Sequence, residues 1–217
     1  MGSNAKIVDL RTLLADRFPG SPAPPHQLLI TGLTPFDQRI GGGLRKGTIT
    51  ELISPNLSAG TASFIAAMVA AACRDRYFLA LIDGSDSFDP EPLGNEVLRH
   101  LLWVRCDTTA KAMKSADLLL RDGNFPLVLI DLVFNEASEI RKIPQTSWYR
   151  LQRLVEPSST ACVVLSRSNT VSSAQLKIGL ENVWTWQTFQ DPKPCSFVNI
   201  SIRRIHRPGD QISTRAS

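Results

Sequence analysis

The sequence predicts an α/β domain with a mainly parallel central sheet flanked by helices. From residue 48 onward, apolar runs of strand length alternate with segments of helical spacing, which is the pattern of strand–helix–strand crossovers. The central strands are nearly continuous apolar runs, as expected for a sheet whose two faces are both covered. The length of 217 residues fits one domain with small terminal extensions.

Five strands and four helices are predicted in the core of the chain. The strands span residues 49–53, 77–83, 101–106, 127–131 and 161–166, and the helices span 61–74, 92–100, 109–122 and 146–155. Further on, residues 197–205 alternate apolar and polar side chains, and residues 183–190 are also strand-like. These two segments predict an antiparallel extension at the C-terminal side of the sheet.

The two ends of the chain differ in composition from the core. Residues 6–18 carry leucines and an isoleucine at helical spacing, and the prolines of residues 19–25 favour an extended linker. We therefore expect an N-terminal helix and Pro-rich linker over residues 1–27, a main domain over 28–208 and a flexible tail over 209–217.

The composition gives no sign of a membrane protein, a disulfide framework or a metal site. The longest apolar run, residues 64–73, is half the roughly 20 residues that cross a bilayer, and no secretory apolar region precedes it. The four cysteines lie far apart, which predicts reduced thiols. The three histidines lack metal-ligand spacing, so no metal site is expected. We expect a cytoplasmic protein.

Positive charge accumulates towards the C-terminus, although the formal net charge is only +4. Residues 197–217 carry four Lys and Arg against one Asp or Glu. This distribution fits either a nucleic-acid surface or a solvated face with scattered arginines, and the sequence leaves both open. Among the tryptophans, Trp103 is predicted to lie in the core, whereas Trp148 is either core or a partner anchor.

The segment between the first predicted strand and helix lies where nucleotide-binding α/β domains carry their phosphate-binding loop. Against the pattern G-x-x-x-x-G-K-[ST], Ser54 and Ala59 replace the glycines, Gly60 replaces the lysine, and Thr61 keeps the hydroxyl. Loss of the lysine removes the main positive charge aimed at the phosphates, so the loop is predicted to be vestigial. The loop positions considered are Ser54, Pro55, Ser58, Ala59, Gly60 and Thr61.

An aspartate ends another predicted strand in a position that supports this interpretation. Asp131 follows an apolar run, as a Walker B carboxylate that orients magnesium or its water shell would. The alternative is a helix-capping or turn aspartate. Asp83 ends the preceding strand and leads into residues 84–90.

From Thr31 to Arg167 the sequence resembles the RecA recombinase superfamily. Residues 31–37, T-G-L-T-P-F-D, and residues 41–47, G-G-G-L-R-K-G, resemble the family's approach to its first core strand. The segment L-I-D-G-S-D-S-F-D-P is similar to the one that carries the family's catalytic glutamate, whose position holds Ser85. The strand V-V-L-S-R resembles the one that leads into the second DNA-binding loop. There the polar sensor pair falls on Ser166 and Arg167, so the phosphate-sensing glutamine is missing.

Three further segments are most similar to the short, degenerate ImuA proteins of this superfamily. They are H-L-L-W-V-R, A-D-L-L-L-R-D-G-N and W-Y-R-L-Q-R, which begin at residues 100, 116 and 148. The resemblance implies a bacterial, nucleoid-associated accessory factor of the SOS response that acts in translesion mutagenesis. The implied partners are an ImuB-like inactive polymerase relative and an error-prone replicative-type polymerase, with RecA and single-stranded DNA as further candidates.

The resemblance also gives residues 1–27 a candidate role. In RecA-like proteins a helix and linker ahead of the core can dock on the neighbouring protomer. Residues 5–18 are candidates for such a contact with another copy, with RecA or with a different partner. The alternative is that the helix folds back on its own core.

Three functions are compatible with the sequence. A non-catalytic accessory protein explains why the fold is kept while lysine, glutamate and glutamine are all lost, and it needs no cofactor. A working ATPase, or a protein that binds ATP and magnesium weakly, needs a lysine from elsewhere, such as Lys46 or a neighbouring subunit. The third function is direct DNA binding. The candidates for contacts with DNA or a partner, each of which is alternatively a solvated charge, are Arg141, Lys142, Arg150, Arg153, Arg167, Arg203, Arg204 and Arg207.

Overall fold

The protein is built around a seven-stranded sheet with helices on both faces. The structure is a computed structural model that describes residues 28–56, 60–181 and 200–205, with side chains as far as residue 203. In chain order the elements are β1 (Leu28–Leu29), α1 (Thr34–Arg39), β2 (Leu44–Arg45), β3 (Thr48–Ile53), α2 (Thr61–Arg74), β4 (Leu79–Asp83), α3 (Asn95–Leu98), β5 (Leu101–Arg105), α4 (Thr109–Asp122), β6 (Leu127–Asp131), α5 (Ala137–Arg141), α6 (Gln145–Val155), β7 (Ala161–Ser166), β8 (Leu176–Leu180) and β9 (Ile200–Ile205).

The strand order of the sheet is β5-β4-β6-β7-β3-β8-β9. All neighbouring pairs are parallel except β8 and β9, which are antiparallel. Every residue of β3, β4, β6 and β7 is buried, because these strands lie inside the sheet with helices over both faces. β1 and β2 form a separate two-stranded antiparallel ladder.

Side chains alternate between two apolar layers along each central strand. In β3, Leu52 packs into one layer with Phe36 of α1 and Phe64 of α2, whose rings lie 5.4 Å apart. Ile49 packs into the opposite layer, which α4 and α6 cover and which includes Trp148. The helices after β3 and after β6 therefore lie on opposite faces of the sheet.

A buried carboxylate holds the approach to the first long strand in place. Asp37 of α1 accepts hydrogen bonds from the Thr31 hydroxyl (2.8 Å), the Thr31 N–H (3.1 Å) and the Gly32 N–H (3.2 Å). The Thr-Gly turn and the aspartate that the sequence singled out are thus one local unit that fixes α1 beside β3.

The predicted α/β architecture is confirmed, and the limits of four elements agree to the residue. These are α2, α4, β6 and β7. The helix predicted over residues 92–100 is only Asn95–Leu98. The sequence interpretation missed β1, β2, α1, α5 and β8.

A C-terminal antiparallel strand is present as β9, within the segment predicted over residues 197–205. β9 pairs with β8, with Leu180 opposite Ile200 and Gly179 opposite Ser201. Residues 183–190, the expected partner, lie outside the described residues, as do residues 1–27 and 206–217. Trp148 is 1% exposed, so its interpretation as a partner anchor is wrong.

Trp103 is only partly buried and packs against the layer that contains α2. In the described ranges, no helix combines the length and the apolar character that crossing a bilayer requires.

Candidate functional site at the carboxyl edge of the sheet

The carboxyl ends of the parallel strands bring most of the predicted nucleotide-site positions to one edge. Asp83 pairs in register with Asp131, and Ser166 pairs with Ile53. β3 is followed by a helix on one face and β6 by helices on the other, and in open parallel sheets ligands bind at the carboxyl edge where the helices change face. The edge is therefore the candidate functional site.

The junction of β3 and α2, where the sequence predicts a degenerate phosphate loop, is described at both of its ends. The buried Ser54 donates its N–H to the carbonyl of Ser166 (2.8 Å) and its hydroxyl to the carbonyl of Asn56 (2.9 Å), while Pro55 is exposed. Gly60 precedes α2 with a φ of +103°, in the left-handed region that favours glycine. Thr61 opens the helix with its hydroxyl buried and without a hydrogen-bond partner among the described residues. Ser58 and Ala59 lie outside the described residues.

Asp131 is a buried carboxylate with few compensating contacts. Its Oδ1 accepts the N–H of Val133 at 3.0 Å. Burial raises the pKa of Asp131 to about 6; the Val133 N–H opposes this rise, and the nearby Asp83 adds to it. The Asp131 carboxyl is therefore harder to ionise than an exposed one, although its position at the strand end is that of a Walker B carboxylate.

Asp83 organises the loop that follows β4. Its carboxylate accepts N–H groups from Ser87 (3.0 Å) and Phe88 (2.8 Å), and the indole N–H of Trp103 (3.3 Å). The Ser85 N–H also reaches Asp83, at 3.3 Å, and the Ser85 hydroxyl donates to the hydroxyl of Ser87 (3.1 Å). The residue at the catalytic-glutamate position thus belongs to a turn centred on Asp83.

The carboxylate next to Ser85 is already paired. Arg105 Nε and Nη2 contact the two oxygens of Asp86 at 2.5 and 2.7 Å. The hydrogen bond from Arg105 holds the pKa of Asp86 below its ordinary value. The Arg105 guanidinium also lies 5.0 Å from the ring centroid of Trp103. Asp86 is therefore held by an arginine on the neighbouring strand.

A fully buried glutamate holds the connection between β7 and β8 in place by hydrogen bonds. Glu51 Oε1 accepts the N–H groups of Thr170 (2.7 Å) and Val171 (3.0 Å) and the hydroxyl of Ser166 (3.2 Å). The Ser166 hydroxyl also lies 2.9 Å from the carbonyl of Ser168. Ser166, which the resemblance places in the polar sensor pair beside Arg167, is thus engaged inside the protein.

A lysine completes this buried cluster. Lys177 Nζ lies 2.8 Å from Glu51 Oε2 and also contacts the Asn169 side-chain oxygen. Glu51 and Lys177 are register partners in β3 and β8, and both are almost wholly buried. The ion pair joins the central sheet to the β7–β8 connection.

The basic candidates divide into exposed and engaged side chains. Arg141, Lys142, Arg153 and Arg167 are exposed. Arg150 is also exposed, but it contacts Asp117 with Nε at 2.7 Å and Nη2 at 2.9 Å.

The arginines of the last strand are only partly described. Arg203 lies against the backbone of β8, since a Cβ built on Gly179 would lie 2.7 Å from its Nε. The side chain of Arg204 and all of Arg207 lie outside the described residues.

The described residues match only one end of a magnesium–nucleotide site. The hydroxyl of Thr61, buried and without a partner in the part of the chain that the structure describes, suits a magnesium ligand. The raised pKa of Asp131 suits one less well, and Gly60 offers no positive charge to the terminal phosphates. This set of residues therefore does not fit a nucleotide whose phosphates must be neutralised by the loop.

Sequence reasoning missed the buried cluster of Glu51, Lys177 and Asn169. The signal was present, because Glu51 and Lys177 are each the single charge in an otherwise uncharged strand segment. Two lone charges of opposite sign in neighbouring apolar segments indicate a buried pair, since an isolated buried charge is costly. Recognising the pair required the strand order, in which β8 lies beside β3.

Comparison with known proteins gives partial matches to RecA. The chain is 35% identical to RecA of Frankia alni over 113 residues, which are 51% of this chain and 32% of that protein. It is 34% identical to RecA of Corynebacterium aurimucosum over 114 residues, or 51% and 30% of the two chains. RecA of Streptomyces avermitilis is 31% identical over 116 residues, or 52% and 30%.

The matched part of this chain spans about a third of the length of these relatives. No family model matches the chain. Three features of this chain are compatible with these matches. They are the parallel order of the sheet, the loop–helix junction after β3 and the aspartate that ends β6. Together they support a RecA-like superfamily for this chain.

Proposed function

We propose that this protein is a non-catalytic RecA-like accessory protein of mutagenic DNA repair, acting through protein contacts and, secondarily, DNA contacts. The observation that carries the proposal is the internal engagement of Ser166 and the connection that follows it. The resemblance places Ser166 in the family's polar sensor pair, beside Arg167, which stands where the phosphate-sensing glutamine would be, and this pair leads into a DNA-binding loop. Here Glu51 accepts hydrogen bonds from Ser166, Thr170 and Val171, so the connection is held by the fold itself.

Two further positions support the absence of hydrolysis. Gly60 has no side chain to neutralise phosphate, and the Ser85 hydroxyl is a poor general base whose hydrogen bond goes to Ser87. A positioned general base contributes roughly 10²–10⁴ in rate. The neighbouring Asp86 does not replace it, since Arg105 contacts both of its oxygens.

The role in translesion mutagenesis rests on the resemblance to ImuA proteins. On that basis the partners are an ImuB-like inactive polymerase relative and an error-prone replicative-type polymerase, with RecA as a further candidate. The protein would act in the bacterial cytoplasm, in association with the nucleoid. Arg141, Lys142 and Arg167 are exposed at segments that leave the carboxyl ends of β6 and β7, where single-stranded DNA would meet them.

Phosphate release tests the proposal directly. We expect the wild-type chain, with ATP, Mg²⁺ and single-stranded DNA, to release phosphate no faster than Thr61→Val, which removes the remaining loop hydroxyl. A working RecA run in parallel provides the positive control. Turnover comparable to RecA that Thr61→Val abolishes would overturn the non-catalytic proposal.

Weak nucleotide binding without hydrolysis is the second candidate function. The buried Thr61 hydroxyl favours it, because it has no hydrogen-bond partner among the described residues, and a buried hydroxyl that stays unpaired is costly unless a ligand or water satisfies it. Calorimetric titration of wild type and Thr61→Val with Mg²⁺ and ATP separates the two. Heat that is lost in the variant supports nucleotide binding, and equal heats in both chains contradict it.

A further inference from the structure

Two helices on one face of the sheet enclose an apolar groove that the carboxyl-edge site does not use. Its larger part has a volume of about 490 Å³ and lies between the start of α4 and the α5–α6 turn. Its apolar lining includes Ala110, Met113, Ile143 and Pro144. A smaller part of about 250 Å³ continues along α4 and α6 and shares Met113 and Ser147 with the first.

The groove follows the surface spacing of its two helices. Besides Thr109, the lining residues of α4 are Ala110, Met113, Lys114 and Asp117, which are spaced i, i+3, i+4 and i+7. Those of α6 are Ser147, Arg150 and Leu151, spaced i, i+3 and i+4. Two such stripes form a trough into which a third helix of two to three turns can pack. Met113, at the junction of the two parts, is a flexible side chain that adapts to a partner's shape.

The charged side chains that line the groove have a net positive charge, because Lys114, Lys142 and Arg150 outnumber Glu139 and Asp117. Glu139 accepts a hydrogen bond from the Thr109 hydroxyl at 2.9 Å. Asp117 is paired with both Arg121 (2.8 Å) and Arg150 (2.7 Å), so its charge is more than balanced.

Two exposed lysines line the groove as well. Lys114 and Lys142 have no side-chain hydrogen bond or ion pair within the described part of the chain. An occupant with acidic side chains beside its apolar stripe would pair with them.

We propose that this α4–α6 groove, lined by residues 108–117, 139–144 and 147–151, docks an acidic amphipathic helix of a partner protein. The proposal rests on the proposed accessory function, which requires protein contacts. A protein helix is favoured over a nucleic acid because the groove lining contains no aromatic ring on which a base could stack. The apolar stripe of the helix would cover Met113 and Ile143, and its acidic residues would meet Lys114 and Lys142.

The test uses a synthetic helical peptide of about twelve residues, with Leu at i, i+3, i+4 and i+7 and Glu or Asp elsewhere. Its binding to the full chain is measured by fluorescence anisotropy without nucleotide. We expect binding that weakens roughly tenfold or more in Lys114→Glu/Lys142→Glu, because the charge complementarity reverses. Ala110→Trp, which fills the groove from an exposed position, should weaken it to a similar degree.

Matched control variants distinguish a loss of peptide docking from nonspecific effects of the substitutions on binding. Arg45→Glu reverses an exposed charge that is distant in sequence from the groove residues. Ala70→Trp adds an indole at an exposed position of α2, on the other face of the sheet. Both should bind the peptide within about twofold of wild type, as expected for residues outside an interface. A peptide with Lys in place of each acidic residue should bind at least tenfold more weakly to wild type.

Several results would overturn the proposal. One is equal affinity for the acidic and basic peptides, and another is unchanged binding in both groove variants. A third is tighter binding of a synthetic peptide of residues 5–18, which would make the occupant a segment of this chain. A fourth is displacement of the acidic peptide by oligo-dT whose own binding shows the same sensitivity to Ala110→Trp. Phosphate release plays no part in these readouts, so failure of the groove and failure of the non-catalytic proposal are distinguishable.

Discussion

At the scale of single residues, the buried pair of Glu51 and Lys177 shapes the region behind the candidate site. Burying two charges is costly, and their attraction offsets that cost only when further hydrogen bonds complete the site. Here three donors besides Lys177 reach the Glu51 carboxylate. The pair therefore links the stability of the sheet to the placement of the β7–β8 connection.

Removing one partner of this pair should destabilise the protein more than removing both charges. Lys177→Met leaves the Glu51 charge buried without a cation, and we expect a loss of about 3–5 kcal/mol in the free energy of unfolding. Adding Glu51→Gln keeps an acceptor for the Thr170 and Val171 N–H groups and removes that charge. Urea unfolding of both single variants and the double variant checks this. Strictly additive losses would contradict the proposed coupling.

Asp131 should make stability depend on pH in a defined direction. Its pKa of about 6 in the folded protein lies above its ordinary value of 3.8. At a pH between these two values, Asp131 is ionised in the unfolded chain and protonated in the folded chain. The stability of the folded protein that depends on this proton is therefore present at low pH and lost as pH rises through about 6. The loss is on the order of 3 kcal/mol.

Asp131→Asn removes this titration while keeping an acceptor for the Val133 N–H. We expect wild type to lose stability relative to Asp131→Asn between pH 4 and pH 7, measured by urea unfolding at each pH. Asp89→Asn, at an exposed position, provides the control for a general carboxylate effect. A difference between wild type and Asp131→Asn that does not change with pH would show that Asp131 ionises normally.

At the scale of elements, the sequence predicted the buried strands well and the short or polar ones poorly. β6 and β7 are continuous apolar runs, so their limits follow from hydrophobicity alone. β8 was missed because Lys177 and Gly179 interrupt its apolar pattern. The Glu51 carboxylate on the neighbouring strand and the Asn169 side-chain oxygen make burial of that lysine tolerable, and these contacts are tertiary.

The residues of the candidate site also differ in whether local sequence patterns or only tertiary contacts identify them. Ser54, Gly60, Thr61 and Asp131 were found because they lie at strand ends and at a loop–helix junction, which are local features. The engagement of Ser166 by Glu51 was not predictable locally, because 115 residues separate the two. Likewise α1 is only six residues long and depends on Asp37 holding the Thr31–Gly32 turn.

Restoring the phosphate loop should cost stability and fail to restore hydrolysis. In Ala59→Gly/Gly60→Lys the lysine must adopt the φ of +103° that Gly60 has, which costs about 1–2 kcal/mol for a residue with a Cβ. The added charge should raise nucleotide affinity. Phosphate release should stay negligible, because Ser85 and Arg167 still occupy the catalytic and sensor positions.

The matched control for this change is Ala59→Gly/Gly60→Ala, which introduces the same backbone strain without the charge. Nucleotide titration and thermal unfolding of both variants separate the two effects. Rapid phosphate release by the lysine variant alone would show that the altered loop was the only defect that prevented hydrolysis. Equal stability of the lysine variant and wild type would show that the loop adopts another conformation when a side chain is present.

At the scale of the whole molecule, the described members of the two apolar layers extend from residue 29 to residue 200. One layer runs from Leu29 to Ile200 and the other from Ile49 to Ala174. The last core residue, Ile200, lies in β9 and is 3% exposed. The antiparallel strand is thus part of the folded unit.

A fragment of residues 28–208 should therefore fold on its own. We expect its midpoint of thermal unfolding to lie within about 4 °C of the full chain, equivalent to a change of roughly 1–2 kcal/mol for a protein of this size.

The control fragment, residues 28–196, lacks β9. It loses the buried Ile200 side chain, leaves the edge of β8 unpaired, and removes the carbonyl that Arg39 contacts at 2.5 Å. Loss of the Ile200 side chain alone costs about 2–5 kcal/mol, so the shorter fragment should unfold at a clearly lower temperature and aggregate through the exposed strand edge. Similar stability of the two fragments would show that β9 is dispensable to the fold, and failure of the longer one to fold would place essential contacts in residues 1–27 or 209–217.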